Sequence, residues 1–255
     1  MPLLVGQLPV PKRDTSVEKP AENKQVVYAA SKLSQLDTTD KLDTDFKTLI
    51  LFTHTHEAYE PIVKSVNGKV TTSDANTNIF TLKDMIASHF QLNGIETDVL
   101  DVDNMEVLNA QGKNYYQAYN TMRPYIQERL KKQQYNLVID FHRDAAKHEA
   151  TTVTVDGTSY ARIAIVIGTD HANYRWNLTY GEKLSKSLNE IVPNISRGVI
   201  SKGGEGVDGK YNQDLSKTII LIELGGIGNN EEELNRSVSV LAKAIAKAFR
   251  SEDTL

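Results

Sequence analysis

Two residues three apart, His54 and Glu57, close the segment Thr53-His54-Thr55-His56-Glu57. On one turn of chain, residues at that spacing can face a single point, and an imidazole and a carboxylate there can share one cation. His142, distant in sequence, is the best third donor. Two histidines and a glutamate that leave a fourth position for water form a known catalytic zinc arrangement, so Zn2+ is the expected cofactor. Zinc lowers the pKa of bound water to about 7, and a nearby carboxylate can then take the proton. Glu223 suits that catalytic role. It follows Ile219-Ile220-Leu221-Ile222, where an unpaired buried charge is costly, and Gly225-Gly226 permits close backbone approach. His56 leaves a second ligand pair open: on an extended segment His54 and His56 share a face and Glu57 points away. The pair His54 and Glu57 is preferred, because a loop after a strand is rarely its straight continuation. Arg143 and Arg197 are candidates for binding a substrate carboxylate or an oxyanion. Asp140 to Asp144 also reads as a structural salt-bridge cluster, with Arg143 pairing an acid. His89, His148 and His171 lack such context and read as surface or helix residues.

Positioning these groups falls to a set of short apolar runs. Thr48-Leu49-Ile50-Leu51-Phe52 reads as a buried strand that stops directly before Thr53-His54. Asn136 to Phe141 is a second such strand, ending at His142, and Thr218 to Leu224 a third, carrying Glu223. Ile95 to Leu100 is a further strand. Thr151 to Val155 and Ala161 to Ile167 flank Asp156-Gly157, a hairpin signal, although those runs can instead join a mixed sheet. Helical spacing marks Leu82 to Leu92, stopped by Asn93-Gly94, and also Tyr115 to Gln133, Asn173 to Asn189 and Glu231 to Arg250. The segment around Asn67 and Gly68 reads as a polar loop. Strands alternating with helices predict an α/β fold, a mostly parallel or mixed sheet flanked by helices. In such sheets ligands sit at the carboxyl ends of strands, where His54, His142 and Glu223 all fall.

Tyr115, Tyr116, Tyr119 and Arg123 read either as a substrate-facing aromatic surface or as core packing with a snorkelling arginine. The loop Gly203-Gly204-Glu205-Gly206 is a candidate lid or cradle. It lacks the Lys-Ser/Thr of a phosphate-binding loop, which excludes that mode of nucleotide binding.

The chain has 255 residues, 40% of them hydrophobic, enough for one sizeable core. Its formal net charge of -4 offers no basic stripe, so no nucleic-acid partner is expected. The absence of cysteine excludes disulfides, thiolate catalysis and thiolate-bound zinc; it suits an exported bacterial protein. No apolar run approaches the roughly 20 residues that cross a bilayer. Residues 1–46 carry Pro2, Pro9, Pro11 and Pro20 and few large apolar groups, and read as a flexible N-terminal tail with a short helix near Val26 to Leu36. Residues 47–255 form the expected catalytic domain.

An ordered set of motifs carries a resemblance. It comprises Phe52-Thr53-His54-Thr55-His56-Glu57-Ala58-Tyr59, Ile139-Asp140-Phe141-His142-Arg143-Asp144-Ala145, Arg197-Gly198, Tyr211-Asn212-Gln213-Asp214-Leu215-Ser216, and Leu221-Ile222-Glu223-Leu224-Gly225-Gly226 with Asn229 after it. From about Lys47 to Arg250 the chain resembles the stage II sporulation protein P family of peptidoglycan hydrolases. The resemblance implies a fold similar to zinc N-acetylmuramoyl-L-alanine amidases and carboxypeptidases. It implies removal of stem peptides from glycan strands, and cutting of peptide crosslinks as an endopeptidase. It also implies His54, Glu57 and His142 as metal ligands, Glu223 as the catalytic acid, and work in engulfment beside the stage II sporulation proteins D and M. An extracytoplasmic, wall-associated location follows, with a native membrane anchor that this chain does not show. Two other readings stand beside it: a zinc carboxypeptidase-like peptidase and a non-catalytic wall-binding module.

Overall fold

A computed structural model describes residues 46–249; the tail and its expected helix lie outside the described residues. Six strands form one sheet in the order β2-β1-β3-β8-β6-β7. They are β1 (Lys47–Leu51), β2 (Glu96–Val99), β3 (Leu137–Asp144), β6 (Ile163–Gly168), β7 (Ser196–Lys202) and β8 (Ile219–Gly226). Strands β2, β1, β3 and β8 are mutually parallel, whereas β6 runs antiparallel to β8 and parallel to β7. The sheet is therefore mixed, within the α/β class expected from the sequence.

Side-chain alternation along the strands builds two faces. Ile50, Ile139, Phe141, Ile165, Ile220 and Ile222 belong to the larger core. It is covered by α2 (Lys83–Leu92), α6 (Tyr174–Ile191) and α7 (Glu231–Ala248); the one-turn α5 is His148–Thr151. Leu49, Leu51, Val138 and Ile219 face the other way. There they meet Val107 of α3 (Asn104–Ala110) and Met122 and Ile126 of α4 (Ala118–Lys132). This second face stays open beyond α4, and the candidate site lies there.

Three elements differ from expectation. The polar segment after β1 contains α1 (Glu60–Asn67), with a proline in its first turn and Gly68 as a left-handed C-cap. Strand β7 was hidden because its sequence, Ser-Arg-Gly-Val-Ile-Ser-Lys, is polar and its register with β6 is irregular. Helix α3 is short; it starts at Asp103, whose side chain accepts from the Met105 and Glu106 N–H groups. The Asp156-Gly157 turn does make a hairpin, but between β4 (Thr152–Val155) and β5 (Thr158–Ala161). Both turn residues have positive φ, 49° and 75°, as a type I′ turn needs. The chain then enters β6, so the apolar run Ala161 to Ile167 is split between two sheets. Among the described residues no helix is long and apolar enough to cross a membrane.

The end of β8 is tied to the start of α7 after a short tight turn. Buried Asn229 accepts from the Gly226 N–H at 2.8 Å and donates to Thr152 Oγ1 and Glu233 Oε2 at 2.8 and 2.9 Å. Asn230 and Glu233 complete a reciprocal capping box, and His148 Nε2 lies 3.0 Å from Glu233 Oε1. A Cβ on Gly226 would stand 2.3 Å from the Ala146 carbonyl oxygen, so only glycine fits there. Asn229→Ala strands several buried polar groups. The expected loss is about 2–3 kcal/mol, a fall of roughly 5–10 °C in melting temperature for a domain of this size, read by thermal denaturation. An unchanged melting temperature would mean that this knot contributes nothing.

Candidate metal centre and active site

His54, Glu57 and His142 form the one group of His, Asp and Glu among the described residues whose ligand atoms all lie within 4.8 Å of one another. His54 lies just past β1, and a backbone bond from the Glu57 N–H to the His54 carbonyl, 3.1 Å, closes a turn. That turn brings Glu57 Oε1 to 3.5 Å from His54 Nδ1 and Glu57 Oε2 to 3.7 Å from His142 Nδ1. The Arg143 N–H, at 2.8 Å, fixes the same carboxylate. His142 belongs to β3 itself, which runs on to Asp144 rather than stopping before the histidine.

His56 does not join this group. Its Nε2 lies 3.0 Å from Asp103 Oδ2 at the head of α3, and Thr55 Oγ1 donates to the same carboxylate at 2.5 Å. The segment is a turn rather than an extended strand, so His54 and His56 diverge while Glu57 folds back.

Asp140 supports the histidines from beneath. It is buried, accepts from the Thr53 N–H and hydroxyl at 2.8 and 2.6 Å, and its Oδ1 lies 3.2 Å from His142 Nε2. Asp140 and His142 are two apart in a strand, so they share a face. Burial pushes the Glu57 carboxyl up, but the hydrogen bonds and charges of His142 and His54 outweigh it and hold the group well below the usual carboxylate range. Burial pushes His142 down, and Asp140 and Glu57 outweigh that in turn, raising it well above its ordinary value.

Glu223 sits beside His142 in the register of β3 and β8. Burial raises its carboxyl to about 7, against a lowering by His142, with Glu57 and Asp144 adding to the rise. Its Oε2 is buried with no hydrogen-bond partner among the described residues. These four groups line one cavity of about 350 Å³, whose walls also include Val166, Leu221, Tyr115, Tyr119, Tyr211 and Lys202. Tyr115 stacks on His54 with ring centres 4.3 Å apart, and its hydroxyl lies 2.9 Å from His54 Nδ1. Tyr119 stands edge-on to His54. Tyr115 and Tyr119 thus line the cavity, and Tyr116 is 89% exposed. Arg123 instead makes a two-pronged pair with Asp214 at 2.8 and 2.7 Å.

The two arginines expected at the substrate are engaged elsewhere. The Arg143 guanidinium, although on the cavity wall, donates to the Thr72 and Asp144 carbonyls at 2.9 and 3.2 Å. Arg197 pairs with the Asp144 carboxylate and is not among the residues lining the cavity. His89 lies in helix α2, as a helix residue, and is buried against Asn235, while His148 belongs to the α7 cap. Sequence reasoning missed Lys202 and the supporting role of Asp140. The Asp-x-His alternation on a buried strand was the available signal for Asp140; Lys202 had none.

The donor set suits a zinc ion: His54 and Glu57 from the turn after β1 meet His142 from β3, with the Asp140 carboxylate behind the His142 ring. An unpartnered buried glutamate faces the same space.

The family model described as stage II sporulation protein P matches residues 9–246, beginning well ahead of β1. Stage II sporulation protein P of Bacillus subtilis (strain 168) is 35% identical over 214 residues, covering 82% of this chain and 53% of the relative. The chain thus spans about half the length of the curated relative it matches. Among solved structures, the CwlD amidase from Clostridioides difficile, solved in complex with the GerS lipoprotein, has a TM-score of 0.50 at 13% identity, covering 79% of this chain and 98% of that one. The N-acetylmuramoyl-L-alanine amidase AmiC2 of Nostoc punctiforme gives 0.44 at 12% identity, covering 80% and 95%. The likeness to the Clostridioides difficile enzyme shows a shared α/β fold. With a family pattern spanning most of its length and identity at this level over 82% of its residues, the chain belongs to the stage II sporulation protein P family.

Proposed function

We propose that residues 47–255 form a zinc-dependent peptidoglycan hydrolase that cleaves the amide between N-acetylmuramic acid and the stem peptide during sporulation. The substrate puts its site of action outside the cytoplasmic membrane. The observation that carries the reading is the convergence of His54, Glu57 and His142 with unpartnered Glu223 in one cavity. Family membership and the amidase-like fold support the choice of substrate.

His54, Glu57 and His142 would hold the ion. Zinc bound there supplies Lewis acidity to the scissile carbonyl and to a water molecule. Asp140 Oδ1, 3.2 Å from His142 Nε2, places a negative charge behind that ring. Glu223, ionised, takes the proton from the attacking water and passes it to the leaving nitrogen, restoring its carboxylate for the next turnover. A carboxyl that titrates near neutrality is matched to both halves of that task.

Glu223→Gln keeps the shape and removes the base. Turnover should fall by about 10²–10⁴-fold, read as new amino groups released from purified cell wall, while zinc content stays unchanged. Full activity in this variant would remove Glu223 from the reaction. His142→Ala should lose the metal, and elemental analysis that finds no zinc in the parent protein would overturn the reading.

The same glutamate has a stability signature. Its folded-state pKa, about 7, lies above its ordinary 4.5. Between these values the folded chain holds a proton that the unfolded chain has released. The contribution of the group is thus fully present below about 4.5 and is lost as pH rises through about 7. In chelator-treated protein, urea melts should show Glu223→Gln more stable than the parent at pH ~8, with the gap shrinking towards pH ~5. A gap that does not change with pH would contradict the buried-charge account.

A further inference from the structure

The cations around the cavity are not equivalent. The Arg143 guanidinium is held by two backbone carbonyls and that of Arg197 by Asp144. Lys202 differs: its side chain lines the cavity, and among the described residues its ammonium group makes no hydrogen bond or ion pair. Its backbone is fixed, because the Lys202 carbonyl accepts from the Thr169 N–H at 2.9 Å and lies 3.4 Å from the Thr169 hydroxyl. As the last residue of β7, opposite Gly168 of β6, it falls on the face that carries Val166. Of the acids nearby, Glu223 feels its charge, which lowers that carboxyl, but no hydrogen bond or ion pair joins the two. Glu57 is committed to the two histidines and Asp144 to Arg197. Glu223 Oε2 has no hydrogen-bond partner, so Lys202 does not bond it there.

The cavity is also polarised. An adjoining groove shares His54, Tyr115, Tyr119 and Tyr211, and adds Tyr116, Gly206, Val207 and Asp208, but not Lys202. The aromatic side continues outward from His54, and the unpaired cation is confined to the inner cavity. A substrate with an uncharged part and a carboxylate-bearing part is held in one direction only by such a surface.

We propose that Lys202 is a specificity-determining residue that binds a carboxylate on the amine side of the scissile amide, with the uncharged sugar directed along the tyrosine-lined groove. The inference rests on the amidase reading for the identity of the substrate. It adds the direction in which the substrate lies and the group that selects it.

Binding, rather than turnover, tests it. The ligands are N-acetylmuramoyl-L-alanyl-D-glutamate and the same molecule with its glutamyl α-carboxylate converted to a carboxamide. Calorimetric titration of Glu223→Gln protein should give about tenfold tighter binding of the carboxylate form. With Lys202→Met added, that preference should shrink to within about twofold, and with Lys202→Arg it should return. A preference that survives Lys202→Met, or that is missing when Lys202 is present, overturns the proposal. Failure of the amidase reading looks different: the parent protein would cleave neither ligand, while the Lys202-dependent binding preference would still be read.

Discussion

A single buried carboxylate, Asp140, joins the two halves of the candidate metal centre. It accepts from the backbone and hydroxyl of Thr53, which fixes the chain where it leaves β1, and it faces His142 two residues along its own strand. One side chain therefore sets the spacing between the His54 turn and the His142 ring. Without it, Thr53 would lose the partners of both its N–H and its hydroxyl in a site closed to water, a cost of the kind that reorganises loops. Tyr115 and Tyr119 pack on rings that Asp140 has already placed.

The electrostatics of the cavity follow from this arrangement. Glu57 is held ionised by the two histidines, and His142 is held positive by Asp140 and Glu57. A divalent cation can replace that positive charge without changing the ligand set. Glu223 is excluded from the compensation. It lies next to His142 in register but its free oxygen meets no donor, which leaves its proton affinity near neutrality. The difference between Glu57 and Glu223, two carboxylates in one small space, is a difference in partners rather than in depth.

Much of this was legible in sequence because buried strands have a short, unambiguous signature. Strands β1, β3 and β8 each contain a short run of Leu, Ile or Val (Leu49–Leu51, Leu137–Ile139 and Ile219–Ile222), and the ionisable residues that follow stand out against that background. The turn at His54 to Glu57 was also readable from spacing. What escaped was set by tertiary contact. Strand β7 owes its place to pairing with β6, not to its polar sequence. The preference for Glu57 over His56 was drawn from the loop alone, but the partner that holds His56, Asp103, lies 47 residues away and could not be read. Arg143 and Arg197 looked available because the Thr72 carbonyl and the Asp144 carboxylate that occupy them cannot be inferred from neighbouring residues. Lys202 was invisible for the opposite reason, since an unpaired lysine leaves no pattern.

Strand β8 is the last of the described strands along the chain, yet it lies in the middle of the sheet between β3 and β6. The sheet therefore cannot close in the order in which the polypeptide is made. Strands β1 to β3 and the β6–β7 pair must wait as two open edges until β8 slots between them. Long-range pairing of this kind is slow to form. Glu223 travels on that late strand, whereas His54, Glu57 and His142 belong to the early one-half of the sheet. The three donors therefore depend on the pairing of β1 with β3, whereas Glu223 joins them only through the pairing of β8 with β3.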